Sequence, residues 1–217
     1  MFDPFAAAGS HATAPLDVLA ALTLLSIVPL IVVSCTSFVR IVVVLSLVRS
    51  AIGASALPPN AVLTALSLVL TLVVMAPTMD RIRHEAVEPY SHGALTQSAA
   101  LQRALVPLRE FMLRQTRVAD LDLFERVARR PHEPPQRAPV VVVVAAFVVG
   151  ELRAGFAMGF ALYLPFVAID LAVAAILMGL GMMMLSPTVV SLPVKLLLFV
   201  MVDGWALVCG GVVGSFR

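Results

Sequence analysis

The chain has 217 residues, of which 60% are hydrophobic and 13% charged, with a formal net charge of +2. Its mean hydropathy is +1.01 and its charged fraction about half that of ordinary soluble domains, which excludes a conventional water-soluble domain. With 12 Gly and 15 Pro, low complexity is excluded too, leaving a set of apolar helices around one polar insert.

Between Asp80 and Arg137 stand ten Arg and eight Asp or Glu, so most of the chain's charge is confined to one stretch. The order apolar, polar, apolar divides the sequence into an N-terminal apolar helical hairpin (1–79), a helical polar insert (80–138) and a C-terminal apolar helical hairpin (139–217). The predicted fold is all-α and membrane-type. No basic run with interleaved aromatic residues occurs, so nucleic acid is not an expected partner.

Residues 16–39 form the first apolar run, longer than the ~20 residues that cross a bilayer. The start has no basic segment ahead of that run, and the first basic residue is Arg40, so a cleaved signal peptide is not expected. An acidic start followed by Arg40 and Arg49 places the N-terminus outside the cytoplasm by the positive-inside rule. Gly53, Pro58 and Pro59 turn the chain before a second apolar run at 61–79. Inside the insert, Leu101, Leu105, Leu108 and Met112 recur at helical spacing, and Leu121, Leu123, Phe124 and Val127 suggest a second amphipathic segment. Pro131, Pro134 and Pro135 end it. A small, water-exposed helical subdomain is expected there.

In the second apolar half, residues 140–149 make a short run that Gly150, Glu151, Leu152 and Arg153 interrupt. Residues 154–185 follow, about 48 Å as one helix against a hydrocarbon layer of about 30 Å. Ser186 and Pro187 begin a turn, and 194–216 is the last apolar segment. Arg40, Glu151, Arg153, Asp170, Lys195 and Asp203 interrupt or flank these segments, each costing roughly 2.5–3.5 kcal/mol at a helix centre on insertion scales. Much of the apolar surface is therefore expected to pack on protein, with the charges paired between helices or between subunits. Lys195 and Glu151, isolated opposite charges, are expected to pair across a subunit boundary. Gly155 and Gly159, four apart, permit close helix packing.

Cys35 and Cys209 lie in apolar runs and read as small buried hydrophobes. His11, His84, His92 and His132 are scattered in polar segments without ligand spacing. No phosphate loop, zinc pattern or nucleophile–base arrangement is present, so no catalytic residue, metal or cofactor is expected. Met182, Met183 and Met184 lie between Gly181 and Pro187. Either they fill irregular core gaps or a bend projects them into a lumen.

Several motifs coincide with one family. RIVVVLSLVR at 40–49, PPN at 58–60 and VMAP at 74–77 stand in the first half. PLREFMLRQT at 107–116 and ADL at 119–121 stand in the insert. LPF at 164–166, IDL at 169–171, MMM at 182–184 and LFVMVDGW at 198–205 stand in the last. Together they resemble the FliP/SctR family of type III secretion export-apparatus proteins, from about residue 37 to residue 216.

The resemblance implies a non-enzymatic core subunit of an export gate in the bacterial inner membrane. Its members form a pentameric ring with SctS-type and SctT-type subunits, near SctU-type and SctV-type ones. The ring lines the path of unfolded secreted proteins, contacts membrane lipid, projects to the periplasmic side, and has Met182, Met183 and Met184 as a gasket at its constriction. Flagellar members usually carry an extra N-terminal segment, whereas about 15 residues precede the first apolar run here. The expectation is therefore an injectisome member, with a flagellar homologue as the alternative. A self-contained small-solute channel and a scaffold outside the pore are the competing readings.

Overall fold

The computed structural model describes residues 26, 29–53, 57–129, 134–182 and 184–216. The apolar stretch at 16–25, His11, Pro131, His132 and Met183 lie outside the described residues. Among those described there is no strand, as the composition predicts.

Helix α1 (Pro29–Cys35) meets α2 (Phe38–Ile52) at a 78° bend. At the far end of α2, Gly53 takes the left-handed conformation (φ 85) that only glycine adopts at low cost, and its N–H closes on the Ser50 carbonyl. Helix α3 (Asn60–Ile82) runs through a π-helical turn (Arg83–Val87) into α4 (Glu88–Ser91). The change of polarity at Asp80 is therefore no structural joint, because Asn60–Ser91 is one 32-residue helical stretch. Along α3 the hydroxyls of Ser67 and Thr71 are buried and donate to the carbonyls of Leu63 and Ser67, so these small polar side chains need no water.

Helix α5 (Gln97–Gln115) is capped by Thr96, whose hydroxyl accepts from the Ala99 N–H, and α6 (Val118–Val127) follows. These two do not form a core of their own. Phe111, Met112 and Leu121 pack with Met75 of α3 and with Val142, Val143, Ala146 and Phe147 of α7 (Val140–Gly179). Of the predicted leucine stripe on α5, Met112 is buried while Leu101 and Leu105 are exposed.

Helix α7 has 40 residues and is about 60 Å long, twice the hydrocarbon thickness. The interruption expected at 150–153 is absent. The helix continues because Glu151 and Arg153 find charged partners on neighbouring helices, so neither has to be brought to water by a break. Gly155 and Gly159 press α7 against α2: a Cβ would stand 3.2 Å from Val43 at the first and 2.4 Å from Leu47 at the second.

Helices α8 (Pro187–Met201) and α9 (Gly204–Gly214) are bent 65° from one another. Asp203 makes the bend in the left-handed region (φ 49), and Gly204 admits the Phe199 ring, 2.3 Å from where a Cβ would be. A second core collects Ile41, Val44, Leu45 and Val48 of α2 with Phe166, Phe199, Val208 and Val212. Phe216 packs against both cores.

Candidate functional site

Where the two cores meet, α2 and α7 carry a buried ion pair. Glu151 is fully buried and Arg40 nearly so. Arg40 Nε donates to Glu151 Oε2 at 3.0 Å, and Nη2 bonds the other carboxylate oxygen. Nη1 donates to the carbonyl of Ser215 (3.2 Å) and its hydroxyl (3.0 Å), and Nη2 also donates to Gln115 Oε1 (3.3 Å). All five guanidinium N–H donors therefore have an acceptor. The Phe216 ring lies 3.9 Å from the guanidinium carbon, adding a cation–π contact. Burying two charges costs several kcal/mol per ion, which only such saturated geometry offsets.

Two further pairs flank this junction. Arg153 grips Asp120 of α6 through two bonds of 2.8 Å each, the paired geometry for which guanidinium suits carboxylate. Lys195 of α8 bonds Asp170 of α7 at 2.5 Å and the Ala51 carbonyl near the C-terminus of α2 at 3.3 Å, where the helix dipole favours a cation. Ser191 donates to the other Asp170 oxygen at 2.5 Å.

Arg40, Glu151, Arg153, Asp170 and Lys195 thus each have a partner on another helix of the same chain, and Asp203 is exposed at the α8–α9 bend. Lys195 and Glu151 do not meet. Within the chain they are engaged instead by Asp170 and by Arg40. Sequence reasoning missed Gln115, Ser215 and Phe216 as members of the junction, and Asp120 as the partner of Arg153. One available signal was the acid shortage around Arg40: a cation inside an apolar run needs a distant carboxylate, and few exist.

The α7–α8 connection is built oppositely. Gly181 (φ 73) ends α7, with its N–H on the Met178 carbonyl and the Met182 N–H on the Leu177 carbonyl at 2.9 Å. Two bonds of this kind close a helix end and throw the following residues outward. Met182 is 45% and Met184 102% exposed, beside exposed Leu180 and Leu185. No catalytic geometry surrounds them; what they offer is a flexible, polarizable apolar surface at the end of a hairpin.

The model of the FliP family matches residues 21–212. The chain belongs to that family. It is 46% identical over 214 residues to the flagellar biosynthetic protein FliP of Pectobacterium carotovorum subsp. carotovorum, covering 98% of this chain and 83% of that protein. Its identity to the flagellar biosynthetic protein FliP of Caulobacter vibrioides is 47% over 197 residues (90% and 74% covered). For the protein of the same name in Bacillus subtilis it is 43% over 196 residues (90% and 89% covered). Membership makes the chain a structural membrane component of an export apparatus, not an enzyme. These relatives are flagellar, so the expectation of an injectisome member gives way to its flagellar alternative. The residues ahead of the first apolar run, on which that expectation rested, lie outside the described residues.

Proposed function

We propose that this chain is one subunit of a flagellar protein-export gate in the inner membrane. Several copies, five by family resemblance, surround a path for unfolded proteins together with the small companion subunits of the SctS and SctT type. Subunits of the SctU and SctV type stand nearby. The observation that carries this reading is the α7–α8 tip, which presents the half-exposed Met182 and the fully exposed Met184. Copies arranged about an axis would bring these tips together as a soft apolar collar, and a hydrophobic constriction gates by dewetting. Charge pairs that hold α2, α6, α7 and α8 together leave the tip free to face the axis. Asp203, exposed at the α8–α9 bend, is available for a contact between subunits.

Replacing Met182, Met183 and Met184 together by Ala is expected to let small ions leak while complex yield stays near normal. Ion conductance and yield measured on the same preparation decide it: lower yield without a leak retires the collar. The insert, 80–138, lies on the periplasmic side in this reading. Cysteines placed at Arg103 and Arg129 should react with a membrane-impermeant reagent added to the periplasm, and labelling from the cytoplasm alone would overturn that placement.

A further inference from the structure

The turn between α2 and α3 joins a positive charge to an apolar groove. The groove holds about 560 Å³ and every residue lining it is apolar, Leu57, Pro58, Val62, Phe199 and Trp205 among them. Arg49 reaches its rim. Arg49 Nη1 donates to the Pro58 carbonyl at 3.3 Å and to Asn60 Oδ1 at 2.5 Å, both neutral acceptors. Arg40, Arg153 and Lys195, the other described cations of the apolar halves, are each matched by a carboxylate. Among the described residues none pairs with Arg49, which is partly exposed and keeps the N–H groups on Nε and Nη2 for an outside acceptor.

We propose that Arg49 and this groove bind an anionic phospholipid, the guanidinium holding the phosphate and an acyl chain lying in the groove. The proposal rests on the membrane location of the chain and not on the export reading. The place of the charge favours a lipid over a protein occupant, and two general principles agree with it. The cation sits at the end of an apolar helix, where a bilayer presents its headgroups. Guanidinium matches phosphate with two parallel bonds. Basic pockets between membrane helices take anionic headgroups on the same principle. A second copy of the chain would have to supply a carboxylate, and Asp203 is the exposed one among the described residues of the apolar halves.

Trp205 lines the groove and is the chain's single tryptophan, so its fluorescence reports on the occupant. The full-length chain is reconstituted into phosphatidylcholine vesicles containing a minor fraction of either phosphatidylglycerol or phosphatidylcholine with brominated acyl chains. Brominated phosphatidylglycerol should quench Trp205 at a several-fold lower mole fraction than brominated phosphatidylcholine. Arg49→Gln should erase that difference, Arg49→Lys should keep part of it, and Asp203→Asn should leave it unchanged. Should Arg49→Gln not fold, Val62→Phe keeps the arginine and fills the groove. It should then lower quenching by brominated phosphatidylglycerol to the phosphatidylcholine level. Equal quenching by the two lipids in the wild-type chain overturns the proposal, as does no quenching by either. A preference that arises only with Asp203→Asn assigns Arg49 to a second copy instead.

Discussion

The Arg40–Glu151 junction and the α7–α8 tip reverse the usual distribution of polarity. At the junction, two full charges are buried between apolar cores and edged by the half-buried Gln115 and Ser215, with every guanidinium donor used. At the tip, Leu180, Met182, Met184 and Leu185 stand uncovered. In water the second region would be a liability and the first an expense. For a chain in a membrane, apolar contact is available in any direction and selects no particular neighbour. Directional bonds between charges then fix which helix faces which, while the apolar tip stays outside the bundle.

That contrast can be broken at the junction, where the largest effect is expected. Glu151→Ala leaves a buried guanidinium without its counter-ion and should cost about 3–5 kcal/mol, seen as loss of folded protein in detergent. Arg40→Met with Glu151→Leu should recover much of the yield, because an apolar pair of similar volume needs no solvation. No recovery would show that the pair is needed for more than charge balance. A smaller effect is expected at Lys195→Met, where Asp170 keeps its bond from Ser191 and lies partly in the open. Loss of bonds to a charged group is worth about 1.5–3 kcal/mol each way, measured as a lower unfolding midpoint. The smallest stability effect belongs to the tip. The collar substitutions at Met182 and Met184 should change the fold by no more than about 0.5 kcal/mol, as at exposed positions generally. Buried methionines would instead cost roughly 2–5 kcal/mol each, and a loss of that size would move them from the surface to the interior.

Much of the architecture was legible because it depends on local pattern. Long apolar runs, the turn at Gly53 and Pro58, and the glycine pair at 155 and 159 carry their meaning within a few residues. The charge pairs were not legible in the same way. Arg40 and Glu151 are 111 positions apart, and nothing in either segment names the other. Reading 150–153 as an interruption treated charge as incompatible with a continuous apolar helix. That holds only for a helix facing lipid, and Glu151 faces Arg40. Spacing on α5 likewise predicted a stripe at Leu101, Leu105, Leu108 and Met112, but periodicity marks a face without saying how far the neighbour extends. Here the cover reaches Met112 and leaves Leu101 and Leu105 bare. For the methionines, sequence left filler and lumen both open, and the helix closure at Gly181 is what turns Met182 and Met184 outward.

Ser215 supplies two of the bonds that complete the shell of Arg40, from 175 positions further along the chain. At about 5–20 residues per second, a ribosome needs roughly nine to thirty-five seconds to travel that distance. Throughout that interval the arginine is already in the nascent chain while those acceptors do not yet exist. Helix α2 therefore gains its full set of bonds only after residue 215 has been made. Synthesis of Ser215 thereby completes the shell of the arginine, and a chain ended before it would leave the two N–H groups on Nη1 without these acceptors.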